Sequence, residues 1–160
     1  MMNRGTLLTA STVLVAAVPV AAWGLMGQQN STELPASQLD YAFEPLGIPD
    51  GTATVLGATA LVLAGVAAAL LVRASRSGGG LDRRWWGVLA PLVMAGLLVG
   101  TGWRILTAGV IGANIGAGLV IFFMVPAVAG LALWALGRGV WLATRRPTGG
   151  QWSGFAPRGA

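Results

Sequence analysis

The chain has neither cysteine nor histidine. Disulfides, thiol redox chemistry, Cys/His zinc sites, histidine-ligated haem and Ser-His-Asp catalysis are therefore excluded. Lysine is missing too, and all ten basic residues are arginine. No lysine Schiff base and no P-loop lysine can form. Charge itself is the third scarcity. Only 9% of the 160 residues are charged, against about 25% in an ordinary soluble domain. With 55% hydrophobic residues, the chain has too little polar surface to coat a particle in water. Its class is integral membrane protein.

The apolar residues fall into long runs. A helix crossing about 30 Å of hydrocarbon needs roughly 20 of them. Thr6 to Met26 and Thr52 to Val72 each suffice, and two more runs lie fused between Trp85 and Leu142. The 33 residues between Arg104 and Arg138 are too many for one span and too few for two. A connection is expected at Thr107 to Gly118, where glycine is frequent and Asn114 tolerates left-handed geometry.

Tryptophan marks the same boundaries. Trp23, Trp85, Trp86, Trp103 and Trp141 sit at run ends, where an indole buries its ring and keeps its N–H wet. These five are the expected interfacial anchors. Trp134 lies two turns inside.

Nine of the ten arginines flank one side of the expected membrane: Arg4, the segment 73–84 and everything from Arg138 onward. That side is expected to be cytoplasmic. The net charge of +5 thus reads as topology, not as a phosphate-binding face, and no nucleic acid partner is expected. The predicted fold is all-α, an integral membrane four-helix bundle, N-in and C-in. A 25-residue outer loop runs from Gly27 to Gly51. Residues 1–146 form the membrane domain, with spans at about 6–26, 52–72, 85–106 and 118–142. Residues 147–160 are expected to be a disordered cytoplasmic tail. A cleaved signal peptide ending near Val20–Ala22 competes for the first run; the length of its apolar core favours a retained span.

Helices in lipid associate where small residues let backbones approach. Ala53, Gly57, Ala60, Ala64 and Ala68 form such a seam, and Gly96 with Gly100 a second. The second, like Gly112 with Gly116, reads as internal packing rather than a dimerisation face. Pro19, Pro91 and Pro126 predict bends.

The expected spans contain no Asp, Glu, Lys or His, which disfavours ion-coupled transport and intramembrane proteolysis. No catalytic, cofactor or metal site is expected. In the outer loop, Ala36 to Glu44 predicts a short helix capped by Ser37, with Leu39 and Phe43 on one face and Asp40 with Glu44 on another. The acids lack EF-hand spacing. Glycines 109, 112, 116 and 118 follow no strand and precede no GK[ST], so they are not a nucleotide loop. Arg104 is the one outer base. It is expected at the membrane face, its stem snorkelling, in an ion pair with Asp40 or Glu44 that pins the loop. Contact with lipid phosphate is the alternative. Trp134, Arg138 and Trp141 share a helix face and allow cation–π contact.

The stretches "WGLMGQ", "LDYAF" and "GWRILTAGVIGANIGAG" resemble a family of small four-span membrane proteins of actinomycetes without an assigned function. The resemblance covers most of the chain. It implies a membrane location, bacterial plasma membrane, and supplies no active site. The expected role is a non-enzymatic accessory or scaffold subunit, partnered by the bilayer and by a larger membrane complex or by itself. The alternatives are an oligomeric transporter or channel component and an envelope sensor using the outer loop.

Overall fold

The computed structural model describes residues 3–31, 33, 35, 39–76 and 82–144. All regular structure among them is helical. Helix α1 spans Arg4–Met26. Asn3 caps its start, its side chain accepting the Gly5 N–H, and Gly27 ends it at φ 69°, a left-handed stop that glycine adopts without a Cβ clash. Helix α2 spans Asp50–Arg76, with Asp50 in its first turn and Arg73 and Arg76 in its last. All three charges oppose the helix dipole. A 3-10 turn at Arg83–Trp85, capped by Asp82, leads into α3, Trp86–Leu106.

The fourth rod has three parts: α4 (Ala113–Leu119), a π turn (Val120–Met124) and α5 (Val125–Thr144). Pro126 explains the π turn. It cannot donate to Phe122, and its ring crowds that carbonyl. The wider turn relieves the crowding, with the Val125 N–H donating to Val120 O, five residues back. All four rods are long and apolar enough to cross a membrane.

The connection before the fourth rod is shorter than expected. It occupies Thr107 to Gly112, and α4 begins at Ala113. Gly112, at φ 79°, takes the left-handed position, while Asn114 is helical. Glycine takes that position at no steric cost and asparagine at some.

The rods form an open row rather than a closed bundle. α1 lies between α2 and α3, and α5 packs on the far side of α3. α1 meets α2 through Leu7, Ala10, Leu14, Ala17, Ala21 and Gly24. α2 answers with Ala53, Gly57, Ala60, Ala64, Ala67, Leu71 and Ala74. Both sets alternate steps of three and four, the 3.5-residue period of a coiled-coil seam. That period selects Ala67 for the buried row, where sequence spacing suggested Ala68. At one end of the seam the backbones touch: a Cβ on Gly57 would lie 2.7 Å from Gly24 C.

α3 reaches a second flank of α1 through its own glycines. A Cβ on Gly96 would lie 3.1 Å from Pro19 Cδ, and one on Gly100 would lie 2.8 Å from Ala22 Cβ. This GxxxG pair is therefore an internal contact. On the α5 side, Gly102 faces Met124 Sδ and Val120. Ala135 is the one buried residue of α5. Leu61, Val62 and Val66 of α2, and Leu133, Trp134 and Leu136 of α5, are exposed.

The two ends of the row differ. At one end, Arg76 and Arg83 line the same cleft, and Arg138 lies beside Gly87. Arg4 shares a groove with Trp85 there. This is the basic end. Arg104 is at the other. The expected tail, residues 147–160, lies outside the described residues.

Replacing Gly57 with Val is expected to lower stability by about 1–3 kcal/mol, because a helix backbone cannot yield to the added side chain. Gly65, also on α2, has open space around it, so Gly65→Ala is expected to leave stability unchanged or raised by up to about 1 kcal/mol. Thermal unfolding in detergent compares the two. Equal losses would contradict the seam.

Candidate functional site

Arg104 stands in the last turn of α3 and is only 4% exposed. An unpaired charge in such a place is costly, so its partners decide what it does. Nε donates to the Trp23 carbonyl at 2.7 Å, and Nη1 donates to Gln28 Oε1 at 2.8 Å. The guanidinium carbon lies 4.5 Å from the centre of a Trp23 ring, within cation–π range. Nη2 is buried without a hydrogen-bond partner.

The position of Trp23 gives these contacts a common cause. It lies in the last turn of α1, which contains no basic residue of its own. The carbonyls there form the negative end of the helix dipole. Arg104 supplies the missing cation from a neighbouring helix. Gln29 Nε2 donates to the Met26 carbonyl in the same turn. The expected ion pair is thus replaced: among the described residues Arg104 makes none with Asp40 or Glu44. Nor does it snorkel outward to lipid phosphate, because it is buried. A helix end, an amide oxygen and an indole face hold the charge instead.

The loop is nevertheless fastened, by backbone bonds. Ser31 N donates to Gly109 O at 2.8 Å, and Gly109 N donates to Asn30 Oδ1 at 3.0 Å. Val110 N donates to Asp40 O, and Phe43 N to Leu106 O. Gln28 Nε2 donates to the Thr107 carbonyl. Thr107 is buried, its hydroxyl turned back to Trp103 O. Gly109 lets the Tyr41 ring lie close: a Cβ there would be 2.7 Å from it, so the ring would have to move. Residues 28–31, 40–43 and 104–110 therefore form one polar knot over the end of the row.

The knot overturns the expected helix at Ala36–Glu44. Residues 39–44 are not helical, and residues 36–38, including the expected cap Ser37, lie outside the described residues. The Phe43 N–H and the Asp40 carbonyl bond across to the 104–110 segment instead of along a helix. Among the described residues no three acidic side chains gather.

The tryptophans have unequal roles. Trp85, Trp103 and Trp141 are exposed, and Trp86 is partly buried. Trp23 is a ligand of Arg104 as well as a residue at a helix end. Arg138 lies 4.8 Å from the Trp141 ring centre, while Trp134 faces outward. What sequence reasoning missed is Gln28. Its signal is an amide two residues beyond a helix end, facing a lone arginine 76 positions away.

Arg104→Ala strips a charged donor from Trp23 O and Gln28, and is expected to cost about 1.5–3 kcal/mol in thermal unfolding. Asp40→Asn keeps the carbonyl that Val110 uses, and is expected to cost under about 0.5 kcal/mol. A loss from Asp40→Asn as large as that from Arg104→Ala would restore the ion pair. Gly109→Ala is expected to destabilise by about 1–3 kcal/mol. Tyr41→Ala in the same molecule should recover part of that loss, as measured by a double-mutant cycle.

Compared with known proteins, the chain matches no family model, no curated protein and no solved structure.

Proposed function

We propose that this is a multi-pass plasma-membrane protein acting as a non-enzymatic accessory subunit that packs sideways against a larger membrane complex. The observation that carries this reading is the open row. A self-sufficient bundle would return its fourth helix to its first; here α2 and α5 end the row with wide apolar faces exposed. Small residues on those faces, such as Gly65 on α2 and Gly130 and Gly137 on α5, have open space around them, which suits close helix approach in lipid.

The basic end lies in the cytosol in this reading, because arginine-rich ends are retained there. The polar knot then faces outward and holds residues 28–31 and 40–43 against the bundle. The knot is a structural fastening, not a reaction centre: an arginine held by neutral acceptors cannot serve as an acid or base near neutral pH.

Mild-detergent purification of the full chain with mass spectrometry tests the role. A larger membrane protein should co-purify in fixed proportion. Recovery of the chain alone, together with solute flux in liposomes of the pure protein, would favour a transporter or channel component instead. For orientation, a cysteine placed at Ser75 in this cysteine-free chain should resist impermeant thiol reagents in intact cells. One placed at Ser31 should react. The reverse pattern would overturn the orientation.

A further inference from the structure

Between α1 and α3 the packing changes along the row. Near the Arg104 end, Gly96 and Gly100 bring the two helices into contact at Pro19 and Ala22. Toward the basic end those small residues give way to Val88, Leu89 and Leu92, and a groove of about 590 Å³ opens. Its walls are almost wholly apolar: Leu8, Thr12 and Ala16 on α1 face Val88 and Leu92 on α3. Leu8 is 70% exposed, so the groove is open at its side. Arg4 and Trp85 line it at the basic end.

We infer that this groove is a stoichiometric seat for one anionic phospholipid, with an acyl chain between α1 and α3 and its phosphate at Arg4. Length supports this. From Arg4 to Ala16 the wall runs about 18 Å at 1.5 Å per residue, close to the depth of one leaflet, half of about 30 Å. The volume falls in the range of small-molecule sites, about 300–1,000 Å³. Charge supports it as well. Arg4, which lines the groove, makes no ion pair among the described residues. Basic pockets between membrane helices on the cytoplasmic side favour anionic headgroups. A neutral tail occupant would leave the arginine without a counter-charge, and a free phosphate would leave the apolar wall unused. The inference rests on insertion of the helices, not on the accessory role, and it survives if no larger partner is found.

Native mass spectrometry of the full chain, titrated with phosphatidylglycerol or phosphatidylcholine of matched chains, reads the seat directly. One phosphatidylglycerol should be retained at collision energies that strip phosphatidylcholine. Arg4→Gln, at an exposed position, should lower that retention at least fivefold. Ala16→Trp fills the groove from an exposed position and should abolish it, with helical circular dichroism unchanged. Inorganic phosphate at millimolar concentration should not displace the lipid. Equal retention of the two lipids, wild-type retention in both variants, or displacement by phosphate would each overturn the seat. If Ala16→Trp fails to fold, Arg4→Gln alone decides.

Discussion

The four rods are long and apolar enough to cross a membrane; in hydrocarbon a leucine would gain almost nothing by leaving lipid for protein, so backbone proximity would have to hold such helices together. One segment of α1, from Pro19 to Gly24, carries most of that burden. Gly24 touches the backbone of α2 at Gly57, and Pro19 and Ala22 receive Gly96 and Gly100 of α3. These two contacts lie on different flanks of α1, so α1 sits between α2 and α3, which meet each other only at the basic end, where Arg76 and Arg83 line one cleft. The openness of the architecture follows from where the small residues fall on a single helix.

The polar knot depends on the same approach. Gly100 lies one turn before Arg104 on α3. Its closeness to α1 sets the guanidinium beside the Trp23 carbonyl and ring. A lone arginine in an apolar run then has a physical reason to exist: it supplies the positive charge that the end of α1 lacks. The loop and the α3–α4 connection are laced over it by main-chain bonds.

Much of the fold was legible in the sequence because hydrophobic run length is a one-dimensional signal. The four rods, the tryptophans near their ends and the clustering of arginine could be read from spacing alone. The seam on α2 was nearly so; the choice of Ala67 over Ala68 needed the partner helix, whose own 3.5-residue period fixed the register. The knot was only half legible. Arg104 stood out as an anomaly, and the fastening of the loop was anticipated, but its partners were assigned by charge. The structure pairs it with a carbonyl and an amide, groups that every stretch of chain offers and composition therefore cannot single out. The non-helical course of residues 39–44 was hidden for a related reason: tertiary main-chain bonds outweighed a weak local preference. The π turn before Pro126 was foreshadowed by the proline as a bend, not as a change of helix type.

A direct test of the open row is a distance between its two outermost helices. Spin labels at Gly65→Cys on α2 and Gly130→Cys on α5 occupy positions with free space around them, and the chain has no cysteine to interfere. Three successive interaxial steps of about 8–10 Å separate these helices in the row, so double electron–electron resonance in lipid is expected to give a distance above about 20 Å. Strong dipolar broadening of the continuous-wave spectrum, the mark of labels on adjacent helices, would mean that α2 and α5 are neighbours and that the bundle is closed.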